Sequence, residues 1–184
     1  MKFTSTNLSC FKKYDVRGIL GENLDSEICY RIGRSFAKFL SAKRVILGYD
    51  ARISSPELAN GVAEALLDSG VEVLEIGLSG TEEMYWATSH FGACGVMQIT
   101  ASHNPSNYNG IKMVKAKSTP LCAREDIPKI RMFAEENSFG KMAVRGKRLD
   151  IMKIARDAYV NKVLSFLNYE NINPLKIVID SGNG

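Results

Sequence analysis

Three short apolar runs alternate with two stretches of helical periodicity, and this order limits the folds open to the chain more than any other feature. Residues 44–49, 71–76 and 94–99 read as buried strands. Between the first two, Ser55 and Pro56 open a helix that carries Leu58, Val62, Ala65 and Leu66 on one face and stops at Gly70. Between the second and third, Thr81 is placed to cap a helix over residues 82–91, ended by Gly92. Upstream, Asp25 can cap a helix over residues 26–40, where Ile28, Ile32, Phe36 and Leu40 recur at helical spacing. Strands joined through helices are parallel strands, with the helices covering both faces of the sheet. Residues 111–115 break the pattern. Only about ten residues separate them from the strand ending at Ile99, fewer than a parallel crossover needs, so this strand is expected to run antiparallel. The expected architecture is a three-layer α/β/α domain with a mixed, mostly parallel four-stranded sheet.

The rest of the chain reads more loosely. Residues 126–136 form a helix with Pro128 in its first turn, and 137–150 are a polar linker containing Gly140, Lys141, Arg145, Gly146 and Lys147. Residues 157–167 read as helix and 175–180 as strand, the start of a second α/β domain. The division is expected at 1–150 and 151–184. A strand running into Ser181-Gly182-Asn183-Gly184 calls for a continuation, so the sequence is expected to be the first part of a longer protein.

Composition narrows the class. With 45% hydrophobic and 24% charged residues the chain is globular and not disordered. The net charge of +4 comes from no block of Lys and Arg, which argues against a nucleic-acid partner. Lys112, Lys115 and Lys117 instead alternate along a strand and are expected to give a local positive field. No signal-peptide pattern and no long apolar stretch is present, so neither a membrane nor an oxidising compartment is expected, and the protein reads as cytoplasmic. Cys10, Cys29, Cys94 and Cys122 form no C-x-x-C pair, and His90 and His103 are not spaced as zinc partners. Free thiols are expected, with Cys29 and Cys94 filling core volume.

The chemistry concentrates in Thr100-Ala101-Ser102-His103-Asn104-Pro105-Ser106-Asn107-Tyr108-Asn109-Gly110-Ile111-Lys112. A hydroxyl, an imidazole, amides and an ammonium share one loop held at both ends by strands, with Asn, Pro and Gly biasing it to a fixed turn. From the residues alone, Ser102 reads more readily as a turn serine bonded to its own backbone, and Lys112 as a solvated strand residue.

The same words resemble the phosphoserine loop of the α-D-phosphohexomutases, which interconvert sugar 1- and 6-phosphates. Further segments resemble the family in the same order: Tyr14-Asp15-Val16-Arg17-Gly18, Gly48-Tyr49-Asp50-Ala51-Arg52 and Ile179-Asp180-Ser181-Gly182-Asn183-Gly184. Leu78-Ser79-Gly80-Thr81-Glu82-Glu83 is similar to the bacterial phosphomannomutases that feed GDP-mannose synthesis. The likeness runs over residues 11–184.

The resemblance implies that Ser102 is phosphorylated at rest and passes its phosphoryl group to the sugar. It implies that His103 and Lys112 stabilise charge or move protons, Lys112 being the stronger general acid/base candidate. Arg17 would lie near the reacting phosphate, and Tyr14, Arg17 and Lys112 would bind substrate. Arginine suits this task because its planar fork grips phosphate oxygens in two places, although an ordinary pair with Asp15 or Asp50 is also open to it. Asp50 and Arg52 are expected to brace the loop, Glu82 and Glu83 to complement a helix dipole, and His90 to be structural. Family members hold Mg2+ between the phosphoserine and three aspartates of an Asp-x-Asp-x-Asp run. No such run occurs here, which leaves Ser102 as the one metal ligand to be expected from this chain. Mannose or glucose 1,6-bisphosphate is the implied activator, a phosphosugar the implied substrate, and the remaining domains of the same enzyme the implied partners. The implied function of the full-length protein is a phosphomannomutase, and the 184 residues alone are expected to be inactive. A phosphoglucomutase or dual-specificity mutase is the alternative within the class, and a non-catalytic phosphosugar-binding module the alternative outside it.

Overall fold

Asp25 caps the first helix: its carboxylate accepts the Ile28 N–H at 2.7 Å and starts helix α1, Ser26–Leu40. The computed structural model describes residues 8–140, 142–168 and 172–180. Strand β1, Val16–Ile19, precedes α1; β2, Arg44–Tyr49, α2, Ser55–Asp68, β3, Glu72–Leu78, α3, Thr81–His90, and β4, Gly95–Ile99, follow in alternation. Then come β5, Tyr108–Lys115, a 3-10 turn, Ala116–Ser118, α4, Asp126–Glu136, β6, Arg148–Asp150, and α5, Met152–Leu164.

One sheet in the order β1-β5-β4-β2-β3-β6 organises the molecule. β4, β2, β3 and β6 are mutually parallel, and β5 lies antiparallel between β4 and β1. The mixed sheet and the antiparallel β5 agree with the sequence reading, but there are six strands and not four. β1 and β6 are the additions. Both are short, and each is defined by its pairing with a distant strand, which leaves little periodicity to read. β6 lies inside the stretch read as linker and is fastened to β3 by Arg148, whose guanidinium donates to both Glu75 carboxylate oxygens at 2.8 Å.

Alternation along the strands sorts two cores. Val45 and Leu47, with Met97, Ile99, Ile111 and Met113, face α1, α2 and α4. Ile46, with Leu74, Ile76, Val96 and Val114, faces α3 and α5 through Met84, Ala87 and Ala155. On the first face Phe36 is fully buried, its ring over Gly95, where a Cβ would approach to 2.9 Å. Burying such a side chain contributes roughly 1.5–3 kcal/mol.

Four sequence expectations need correction. Thr81 lies inside α3, with Gly80 as the preceding residue, so it is not a cap. The helix expected over 157–167 begins earlier, at Met152, because Ala155 packs beneath it. Residues 172–180 form no strand. Ile177, Val178 and Ile179 are exposed, and a strand without a neighbour leaves its backbone donors and acceptors unpaired. Ser181-Gly182-Asn183-Gly184 lies outside the described residues. Cys94 is half-buried, its sulfur accepting the Lys43 N–H, whereas Cys10 and Cys29 are buried free thiols. Burial pushes the Cys10 thiol up to about 11. Among the described residues no helix is long and apolar enough to cross a membrane.

Candidate active site

The loop of residues 100–107 leaves the carboxyl end of β4 beside the exit of β2, to which it is joined by the Asp50 N–H donating to the Ile99 carbonyl at 2.9 Å. Thr100 continues the ladder by donating to the Gly110 carbonyl at 3.0 Å, while its hydroxyl accepts the Ser102 N–H at 3.0 Å. The chain then turns sharply. Ser102 takes a left-handed conformation, φ +56°, which costs a non-glycine residue roughly 1–2 kcal/mol. Asn104 N–H closes the turn on the Ala101 carbonyl at 3.1 Å. Ser102 and His103 are exposed, with Oγ and Nδ1 3.3 Å apart.

Arg17 reaches this loop from β1, where it pairs with Gly110. A Cβ at Gly110 would run into the Val16 carbonyl oxygen, so glycine is what lets the two strands lie there. The Arg17 guanidinium donates to the Ala101 carbonyl at 2.9 Å and to the Asn104 side chain, and it pairs with Asp15 at 3.0 Å. The salt bridge that the sequence left open is therefore present, together with the hold on the loop. Arg52 also donates to loop carbonyls, and Asp50 accepts the Ser55 hydroxyl at 2.6 Å.

Lys112 sits in the middle of β5 opposite Gln98, half-buried, with no ion pair among the described residues. It separates two openings. One, of about 220 Å³, is shared with Ser102, Thr100, Asp50 and the start of α3 at Gly80, Thr81 and Glu82. The other, of about 550 Å³, is shared with Tyr14, Arg17, Tyr85 and Ser118. Tyr14 is 63% exposed, with the Lys13 ammonium 5.0 Å from its ring centre. Ser102, Lys112 and Arg17 thus gather at one edge of the sheet, and Tyr14 stands beyond Lys112. The amino end of α3 adds a partial positive charge to the smaller opening.

The expected lysine field is smaller than the sequence suggested. Strand alternation turns Lys115 to the opposite face, where it bonds Asp126 at 2.7 Å. Burial opposes ionisation of Asp126, but hydrogen bonds from Lys115 and the Cys122 N–H outweigh it and hold the carboxyl below its ordinary range. Glu83 also leaves the site: it is buried and takes two bonds from Arg156 Nε, at 2.9 and 3.1 Å, tying α3 to α5.

The sequence reading gave no individual role to Asn109, Asn104, Gln98 or Ser79. Asn109 is fully buried and donates to the hydroxyls of Ser54 and Ser55 at 2.8 and 2.9 Å, fastening the start of α2 to β5. Gln98 donates to the Ser79 carbonyl at 2.8 Å. An amide inside an apolar run was the available signal, because a buried amide requires partners.

A left-handed serine at the carboxyl edge of parallel strands, with two cations and a helix amino end around it, defines an α/β/α domain built to meet an anion. Residues 9–141 match the family model described as phosphoglucomutase/phosphomannomutase, alpha/beta/alpha domain I, and the chain belongs to that family. It is 45% identical over 179 residues to a phosphomannomutase of Escherichia coli, covering 96% of this chain and 39% of that protein. It is 48% identical over 134 residues to a phosphomannomutase of Klebsiella pneumoniae, covering 73% of this chain and 85% of that one. A crystal structure of a phosphoglucomutase/phosphomannomutase family protein from Burkholderia thailandensis superposes with a TM-score of 0.75 at 28% identity, over 86% of this chain and 36% of that one. The chain spans about 39% of the length of the Escherichia coli relative.

Proposed function

We propose that the chain is the serine-bearing domain of a cytoplasmic phosphomannomutase that serves GDP-mannose synthesis, with residues 1–150 as that domain and 151–184 as the beginning of the next. The observation that carries this reading is the placement of Ser102: exposed, held left-handed, and sharing an opening with Lys112 and the amino end of α3. A buried or freely turning serine would not support it.

In this reading a sugar hydroxyl attacks the phosphorus of phospho-Ser102. A new P–O bond forms as the P–Oγ bond breaks, and Oγ leaves with the bonding pair. The attacking hydroxyl releases a proton and Oγ takes one up. Lys112 is the proposed proton carrier, His103 lies 3.3 Å from Oγ, and Arg17 offsets charge on the transferring group. Mannose 1,6-bisphosphate is the product of this half-reaction. Return of its other phosphoryl group to Ser102 completes the exchange between mannose 1-phosphate and mannose 6-phosphate. Positioning and cations do most of the work in such a transfer. Tyr14, Arg17 and Lys112 are the proposed substrate contacts from this domain, the rest coming from further domains of the same enzyme. Mannose or glucose 1,6-bisphosphate would recharge Ser102.

Mg2+ is the proposed metal of the complete enzyme. Among the described residues no group of three or more His, Cys, Asp and Glu comes together, so the donors present do not make a Mg2+ site, and the phosphate on Ser102 is this chain's one proposed ligand.

Replacement of the nucleophile tests the reading. In the complete enzyme, Ser102→Ala is expected to lower turnover of mannose 1-phosphate by at least about 10⁴-fold, as loss of a covalent nucleophile does elsewhere, with an unchanged melting temperature because the side chain is exposed. Retained turnover contradicts it.

A further inference from the structure

The four Nη N–H groups of Arg52 are spent on carbonyls of the Ser102 loop and its exit into β5. Nη1 donates to the carbonyls of Pro105 at 2.8 Å and Tyr108 at 3.0 Å, Nη2 to those of Ser102 at 3.0 Å and Asn104 at 2.6 Å, and Nε faces the Asp50 carboxylate at 3.4 Å. A guanidinium has five N–H groups, and five acceptors surround this one. None of the four Nη N–H groups is left for a phosphate oxygen, and Nε is turned to the Asp50 carboxylate. The side chain is correspondingly sheltered, at 16% exposure.

The bonds meet the loop where its conformation is hardest to keep. Ser102 is left-handed, so its own carbonyl turns toward Arg52 while its N–H turns to the Thr100 hydroxyl and the preceding carbonyl, Ala101, goes to Arg17. Both peptide groups flanking Ser102 are thereby fixed, and with them the direction of its Cα–Cβ bond. Arg52 is in turn set by β2, since its backbone N–H donates to Asp50 Oδ1 at 3.1 Å.

Building on the proposed role of Ser102, we propose that Arg52 is a positioning residue for phosphoryl transfer, acting through the shape of its hydrogen-bonding fork and not through its charge at the phosphate. It clamps four loop carbonyls so that Oγ is presented outward at a fixed angle. Lysine keeps the charge but concentrates its three donors on one atom, and it cannot span carbonyls from Ser102 to Tyr108.

The test compares Arg52→Lys with Arg52→Ala in the complete enzyme by two readouts. Hydrogen exchange at the amides of Ser102, Asn104 and Tyr108 reports the loop, with the β4 amides as an internal reference. Steady-state kinetics and phosphorylation of Ser102 by glucose 1,6-bisphosphate report its consequence. Both variants are expected to exchange faster in the loop alone and to lose about 100-fold in kcat, the usual effect of a misplaced reacting group, with KM within about threefold. If β4 loses protection in Arg52→Lys, Asp50→Asn gives the milder perturbation, and faster loop exchange is again the expected result. Wild-type kcat in Arg52→Lys beside a crippled Arg52→Ala would show that charge is what matters and overturn the proposal, as would unchanged loop exchange in the variants. Failure of the wild-type protein to take phosphate on Ser102 would sink the functional reading, while loop exchange would still decide the role of Arg52.

Discussion

The two faces of the sheet do different things. Against α1, α2 and α4 lies an extensive apolar layer, with Phe36, Ile32, Met97, Ile99 and Ile111 all fully buried. The face toward α3 and α5 carries a smaller apolar cluster, and at the carboxyl edge its strand positions go to Arg17, Gln98 and Lys112. Adjacent residues of one strand serve opposite ends: Ile111 packs into the large core, and Lys112 opens onto the clefts beside Ser102. Stability is concentrated where the helices cover the sheet fully. Polar and charged side chains collect where the cover stops short, since an ammonium there keeps access to solvent and to an incoming anion.

Exchanging the roles of the faces is the way to break that contrast. After loss of the nucleophile itself, the largest effect on rate should come from Lys112→Ala in the complete enzyme. A well-placed charge-stabilising or proton-transferring group is worth about 10²–10⁴ in rate. Because Lys112 makes no ion pair among the described residues, melting should move little. A large drop in stability with kcat intact would reverse the assignment of the two faces. On the other side, Phe36→Ala should cost about 3–5 kcal/mol by opening a cavity under Gly95. Chemical denaturation measures that loss, and kcat per folded molecule should be unchanged.

Acid should act through the same well-packed face, more gently. Asp126 and Glu135 both lie on α4. Burial opposes the charge of each, yet Lys115 and the Cys122 N–H hold Asp126 low, and Arg131 and the Leu8 N–H hold Glu135 low. A carboxyl lowered on folding contributes stability above its unfolded pKa and loses it as pH falls through the folded value. Melting temperature should therefore decline as the medium is acidified below the ordinary carboxylate range, and Asp126→Asn should flatten that decline. A decline that is just as steep in the variant would remove Asp126 from the account.

How much of this could be read in advance follows from which interactions are local. The alternation of β2, α2, β3, α3 and β4 was legible because each element buries a face with its own periodicity, and the short gap after Ile99 was enough to turn β5 around. The Ser102 loop was legible from its words. Its true length was not: β5 begins at Tyr108, since Asn109 is buried by the hydroxyls of Ser54 and Ser55, far away in sequence. β1 and β6 were hidden for the same reason, each being a strand by virtue of its partner. Strand parity would have shown that Lys115 cannot share a face with Lys112. That Asp50 and Arg52 brace the loop was expected from the sequence, but which groups Arg52 holds was not legible, because four of its partners are backbone carbonyls.

The central claim is that Ser102 carries the phosphoryl group. Mass spectrometry of the complete enzyme after incubation with glucose 1,6-bisphosphate, with the modified peptide mapped by fragmentation, measures it directly. A single added phosphate on Ser102, absent from Ser102→Ala, is the predicted result. Phosphate on Ser106 or Ser118 instead, or an unmodified Ser102 in an enzyme that turns over, would contradict it.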